Sequence, residues 1–191
     1  MISIKGPWKE GYAFDIHSVK SEYKGDNQYG HPIFETTRST MGQYLYELKF
    51  GQKFSTVEKI IKLLLEENAL KEFISGIDII LPVPPSNKYR QLQPVVLIAQ
   101  EIARVFQKEL RQDVLMSSNF EEIKNLDMNE KYERIKNAAT IEGQLDKSKN
   151  ILIFDDVFDS GSTLTAMTNA LIEKGYTNIF MFTLTKTRMP N

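Results

Sequence analysis

The chain has 191 residues, 41% hydrophobic and 26% charged, with 10 glycines and 7 prolines, which excludes a collagenous or low-complexity chain, and its 24 basic and 25 acidic side chains leave a net charge of −1, so a polyanion is not the default partner. A chain of this length buries about 70% of the surface its unfolded form exposes, enough for one core without staples. It contains no cysteine, and its two histidines are His17 and His31, so disulfides and thiolate-bound zinc are excluded and any metal is expected on carboxylates, phosphates and water.

The first ten residues lack an apolar h-region, and no apolar stretch approaches the roughly 20 residues of a membrane span, so a soluble, cytoplasmic protein without membrane or nucleic-acid partners is expected. Trp8 reads as an anchor for this terminus. Residues 11–38 are rich in aromatic, β-branched and turn residues. Tyr12, Phe14 and Ile16 alternate as one face of a strand, and Tyr29-Gly30-His31-Pro32 reads as a turn before a second extended run over 33–37, giving a hairpin-like appendage. His17 and Tyr12 in it are read as packing. Met41, Tyr44, Leu45 and Leu48 then fall at helical spacing, with Gly51 as the stop. A longer helix follows, opened by Ser55-x-x-Glu58, a capping-box pattern, with Val57, Ile60, Ile61 and Leu64 as its buried stripe.

Strand and helix alternate from there on. Residues 77–81 are a buried-strand run closed by Pro82-Val83-Pro84-Pro85, since prolines donate nothing to a ladder. Pro94 suits a first helical position, and Val95, Ile98, Ala99, Ile102, Val105 and Phe106 give that helix its apolar face. A further strand is expected at 114–116, and 117–137 reads as a polar, weakly patterned loop. Residues 151–154 are the clearest strand, 164–174 the helix after it and 179–184 the last strand. Strands separated by helices of this length imply an α/β fold with a parallel sheet.

One segment carries chemistry: Ile151-Leu152-Ile153-Phe154-Asp155-Asp156-Val157-Phe158-Asp159-Ser160-Gly161-Ser162-Thr163. An apolar strand delivers two adjacent carboxylates to the carboxyl edge of a parallel sheet, where open α/β folds bind ligands. Ser160, Gly161, Ser162 and Thr163 then supply small side chains, hydroxyls and unpaired amides at a helix N-terminus, an arrangement that binds phosphate. Carboxylates touching that phosphate would repel it, so they serve another part of the ligand, such as sugar hydroxyls or a bridging Mg²⁺. A phosphorylated pentose with a free diol meets both demands. There is no G-x-x-x-x-G-K-[ST] and no G-x-G-x-x-G, and the second place after the first acid of a phosphatase-like pair is Val157. The plainer alternative is that the acids only cap the next helix.

This segment resembles the phosphoribosyl-diphosphate loop of type I phosphoribosyltransferases. Residues 78–84 followed by Arg90-Gln91-Leu92-Gln93, then Arg134-Ile135-Lys136-Asn137, and Thr183-Leu184-Thr185-Lys186-Thr187 extend the similarity to the ComF-like (competence protein F-like) branch over 77–188. The resemblance implies a phosphoribosyltransferase-like core over 76–191 beneath an N-terminal hairpin and helical hood over 1–75, together one compact unit. It implies that Asp155 and Asp156 hold the ribose hydroxyls, that Ser160, Gly161, Ser162 and Thr163 hold the 5′-phosphate, and that Lys88 and Arg90 approach the diphosphate. Arg134 and Lys136 are candidates to close over the ligand. Asp159 stands where that branch commonly has Thr and instead resembles the loop of 6-oxopurine phosphoribosyltransferases, which implies that Asp159 and Lys186 handle a purine-like base. The chain also departs from the branch in having no cysteine for the zinc module that often precedes the core.

The implied reaction is Mg²⁺-dependent transfer of ribose 5-phosphate from phosphoribosyl diphosphate to a nitrogen acceptor, the Mg²⁺ bound mainly through the substrate. A non-catalytic sensor of phosphoribosyl diphosphate or a nucleotide, and an assembly partner that only inherited the fold, are the competing expectations. A homodimer is left open.

Overall fold

A strand that is apolar at every position needs cover on both faces, and residues 151–154 and 179–182 are of that kind. The structure, a computed structural model, describes residues 1–85, 93–117 and 139–188. In chain order its elements are β1 (Ile2–Ser3), β2 (Glu10–Ile16), β3 (Ser18–Asp26), β4 (Pro32–Arg38), α1 (Thr40–Gly51), α2 (Ser55–Glu66), α3 (Asn68–Ser75) and β5 (Ile79–Pro82). After them come α4 (Pro94–Phe106), β6 (Glu109–Leu110), β7 (Leu115–Ser117), β8 (Ala139–Ile141), β9 (Ile151–Phe158), α5 (Ser162–Glu173) and β10 (Ile179–Lys186). Six strands form the central sheet in the order β1-β2-β10-β9-β5-β6. All neighbours run parallel except β1, which is antiparallel to β2, so the fold is mixed α/β around a mostly parallel sheet, as expected.

The sheet divides the core in two. Ile79, Leu81, Ile151, Ile153 and Met181 face a cluster covered by Leu164, Met167 and Leu171 of α5, by Trp8 and by Val114 and Leu115. Ile80, Leu152, Phe154, Phe182 and Leu184 face the opposite cluster, covered by α1, α2, α3 and α4 through Leu45, Leu48, Ile60, Leu64, Ile74 and Ile98. Each such side chain contributes about 1.5–3 kcal/mol when fully buried. The second cluster runs unbroken across residue 75, joining the N-terminal helices to α4 and the strands.

Several local expectations are corrected. The strand holding Tyr12, Phe14 and Ile16 is not an arm of the hairpin: β2 lies in the central sheet, parallel to β10, because Ala13 packs on one face while Tyr12 and Phe14 pack on the other. The hairpin is β3 with β4, and its turn begins at Asn27, whose Oδ1 accepts from the amides of Tyr29 at 2.9 Å and His31 at 3.0 Å. Helix α1 runs through Gly51 and ends at Gln52, which takes the left-handed conformation at φ 51°. The capping box at Ser55 does not form. Ser55 is already the first residue of α2, one place inside the Phe54 N-cap, and no side chain caps this end; the amides of Thr56 and Val57 are accepted at 3.0 Å by Lys53 O and Phe54 O of a preceding turn. The strand expected at 114–116 is β7, which pairs antiparallel with β8 in a separate ribbon. Most of the loop expected at 117–137 lies outside the described residues. Pro94 does open α4.

Candidate active site

Strand β5 ends early because Pro84 and Pro85 have no amide to donate, and the last link to its neighbour is Val83 N to Phe154 O at 2.8 Å. Strand β9 continues four residues further with β10 as its partner, so Asp155 and Asp156 lie inside the strand rather than after it. Asp156 continues the row of Leu152 and Phe154 toward α1, where Lys49 meets it, and the strict alternation ends at the acids, since Val157 packs with the cluster of Phe154 and Phe158 with that of Ile153.

The two carboxylates have different surroundings. Asp155 is half-buried, and Oδ1 accepts the Asp156 amide at 2.8 Å. Its ladder neighbour is Thr183, whose hydroxyl is buried without a hydrogen-bond partner among the described residues. Burial first and the Asp156 charge second push the Asp155 carboxyl up to about 8, against smaller pulls from the Asp156 amide and Lys49. Asp156 is 6% exposed and pairs with Lys49 Nζ of α1 at 2.7 Å.

Past β9 the chain turns through Asp159, Ser160 and Gly161 into α5. Gly161 takes φ 75°, and a Cβ there would lie 2.6 Å from the Phe158 ring, so both the backbone angle and the space require glycine. Phe158 is held edge-on against the buried Trp8 at 6.4 Å between ring centres, which makes the expected anchor a support for this turn. The first bond into the helix runs from Thr165 N to Gly161 O at 2.9 Å. Ahead of it Ser162, Thr163 and Leu164 present their amides at the helix end, and among the described residues only the Ser162 amide is engaged, weakly, by Ser160 Oγ at 3.4 Å. The Ser160 and Ser162 hydroxyls lie 2.9 Å apart, and no acid occupies the first turn of α5. Such an end is electropositive and rich in donors.

Asp159 is exposed and does not cap α5: Oδ1 accepts from Thr187 Oγ1 at 2.8 Å, and Thr187 N bonds Phe158 O at 2.9 Å, tying the loop to the end of β10. Lys186 is the last residue of β10, not one beyond it, in register with Phe158 and with Ile16. It has no ion pair among the described residues. Asp155, Asp156, Asp159, Ser160, Gly161, Ser162, Thr163 and Lys186 thus gather at one edge of the sheet. Lys88, Arg90, Arg134 and Lys136 lie outside the described residues.

Sequence reasoning missed the groups that approach this edge from the N-terminal part. Lys49 stands four residues after Leu45, on the apolar stripe of α1, and a lysine there needs a partner; that spacing was the available signal. His17, set aside as packing, has Nδ1 3.0 Å from Thr185 Oγ1. Its pKa is lowered by burial and then by the Lys49 and Arg38 charges, with Asp156 opposing. The Arg38 guanidinium stacks 3.9 Å above the Tyr46 ring, and its Nε is buried without a hydrogen-bond partner among the described residues. Tyr12 does pack, edge-on to Phe73 at 5.1 Å.

No protein-family model matches the chain, and no curated protein matches it. Among solved structures, a crystal structure of adenine phosphoribosyltransferase aligns over 87% of this chain and 86% of that chain, at 13% identity and a TM-score of 0.37. Among the described residues no helix is long and apolar enough to cross a membrane.

Proposed function

We propose that the chain is a phosphoribosyltransferase of the ComF-like branch, transferring ribose 5-phosphate from phosphoribosyl diphosphate to a nitrogen acceptor with release of diphosphate. One observation carries this reading: two adjacent acids at the carboxyl end of a parallel strand lead through the left-handed Gly161 into a helix end with open amides. The 5′-phosphate fits that helix end, Asp155 and Asp156 suit the ribose diol, and the hairpin with α1 forms the hood. Asp156 is committed to Lys49, and among the described residues no cluster of three or more His, Asp or Glu could hold a metal. Mg²⁺ would therefore be held mainly by the diphosphate and ribose oxygens, and its chemistry when bound is to neutralise the leaving group.

In the reaction the acceptor nitrogen bonds C1 as the bond from C1 to the diphosphate oxygen breaks, through an oxocarbenium-like state. The chain's part is to orient the ribose and to match developing charge. Lys186, without an ion pair, suits a donor to an exocyclic oxygen of a purine-like base, and Asp159 suits the group that takes the ring proton once its bond to Thr187 opens. That same bond favours a second reading, a sensor of phosphoribosyl diphosphate without turnover, because it occupies the carboxylate of the loop.

The test supplies Mg²⁺ and phosphoribosyl diphosphate with hypoxanthine, guanine, xanthine, adenine, uracil or orotate, and follows melting temperature, diphosphate and nucleotide in the parent and in Asp159→Asn. Ligand at 100 times its dissociation constant should add about 2.7 kcal/mol of stability. Diphosphate release with purine bases, slowed about 10²–10⁴-fold in Asp159→Asn, is the expected result. Stabilisation without diphosphate release supports the sensor. An unchanged melting temperature at millimolar ligand overturns both.

A further inference from the structure

Of the two acids, Asp156 is the one reached from a distant element. Lys49 Nζ lies 2.7 Å from Oδ2, with 23% and 8% of the two side chains exposed, and Oδ1 is left without a partner among the described residues. The helix that supplies Lys49 is seated closely: Ser39 Oγ donates to Ile16 O and accepts the Gly42 amide at 3.0 Å, and a Cβ at Gly42 would lie 2.1 Å from His17 O. Met41, Leu45 and Leu48 already bury the apolar face of α1, so packing gives no reason for a cation at position 49. The half-buried ammonium is costly to leave unpaired and is compensated by one carboxylate oxygen alone. Next to it a second carboxyl, Asp155, is free of any ion pair among the described residues, and a phosphorylated sugar would add further negative charge.

We propose that Lys49 is a positioning residue of the ribose-diol site, fixing the Asp156 carboxylate by Oδ2 so that Oδ1 faces a sugar hydroxyl and the acid pair tolerates an anionic ligand. This rests on the phosphoribosyl reading above. The other charged or titratable groups acting on this corner are Asp155 beside it, His17 after β2 and Arg38 at the end of β4. Through Lys49 the N-terminal helix becomes part of the ribose site.

The experiment titrates ribose 5-phosphate and 2,3-dideoxyribose 5-phosphate calorimetrically into the parent, Lys49→Met, Lys49→Arg and Lys49→Met/Asp156→Asn. The parent should prefer the sugar that carries the diol. Lys49→Met should lose about tenfold to a hundredfold for that sugar, the range of a charge-assisted hydrogen bond, and little for the dideoxy sugar, so that discrimination collapses. Lys49→Arg should restore it, and the double variant, which leaves no unpaired carboxylate at position 156, should fold and discriminate no better than Lys49→Met. A parent that binds neither sugar, or both equally, overturns the phosphoribosyl reading and this proposal with it. A discriminating parent matched by Lys49→Met overturns the proposal alone. If Lys49→Met does not fold, full discrimination by the double variant overturns it.

Discussion

The acid edge is built from two kinds of chain. Residues 151–163 run without a break from β9 through the turn into α5, and the side chains that matter there are neighbours in sequence. The groups facing them, Lys49 of α1 and His17 after β2, come from separate positions that the docking of α1 brings together. The first region gets its geometry from local rules, the strand period, a left-handed residue and a helix end. The second gets its geometry from the docking of α1 on the end of β2, which no local rule specifies. Each region also depends on one glycine at a close approach, so the two can be broken separately.

Gly161→Val and Gly42→Ala should have the largest effects, each destabilising by about 2–4 kcal/mol, because one forces a branched side chain into φ 75° against Phe158 and the other drives a methyl into the His17 carbonyl. Their binding defects should differ. Gly161→Val should abolish binding of inorganic phosphate and of ribose 5-phosphate alike, whereas Gly42→Ala should retain phosphate and lose preference for the sugar with its diol. Denaturant unfolding with phosphate titration separates these outcomes, and equal loss of phosphate in both would refute the division into two regions.

The acids sharpen the same contrast. Asp156→Asn removes the partner of a half-buried lysine and should cost about 1–3 kcal/mol at neutral pH. Asp155→Asn should stabilise the fold at pH 8. The Asp155 carboxyl holds its proton in the folded state up to about 8 but releases it near the ordinary 3.8 when unfolded. Between those values the folded state binds more protons, so this group's contribution to stability falls as pH rises through the window and is level above it. Asn does not titrate, so the advantage of Asp155→Asn should grow from about pH 4 to pH 8. Unfolding curves at four pH values in that range decide it; parallel profiles for parent and variant would show that Asp155 ionises normally.

What was legible follows the same line. The apolar runs at 151–154 and 179–182 and the stripe of Val57, Ile60, Ile61 and Leu64 record burial directly, and all of them but the half-buried Phe180 are buried as their period requires. Asp155, Asp156 and the 160–163 turn were legible because their chemistry is contiguous. Strand β2 was misassigned because alternation of Tyr12 and Phe14 fits a hairpin arm and a sheet strand equally; partner choice belongs to long-range pairing with β10. Lys49 stands in the last turn of α1, where a cation is favourable in any case, so its place in the sequence names no partner. Its partner is visible only after β9 and α1 are packed together.

The smallest expected effect concerns a local rule that failed. Ser55-x-x-Glu58 has the spacing of a capping box, yet Ser55 is the first residue inside α2 rather than its N-cap, the amides of Thr56 and Val57 are bonded to Lys53 O and Phe54 O, and Thr56 Oγ1 adds a further bond to Lys53 O at 2.6 Å. Ser39 carries no such pattern in sequence, yet its side chain caps α1, accepting the Gly42 amide at 3.0 Å while donating to Ile16 O. Removing a serving N-cap hydroxyl costs about 0.5–2 kcal/mol, whereas an exposed, unbonded serine costs within about 0.5 kcal/mol of nothing. Ser39→Ala should therefore lower the melting temperature by several degrees and weaken the seat of α1, and Ser55→Ala should leave it within a degree or so. Thermal unfolding of the two variants side by side is sufficient. A drop at Ser55 as large as that at Ser39 would mean that the capping box forms and that the turn over 53–57 gives way to it.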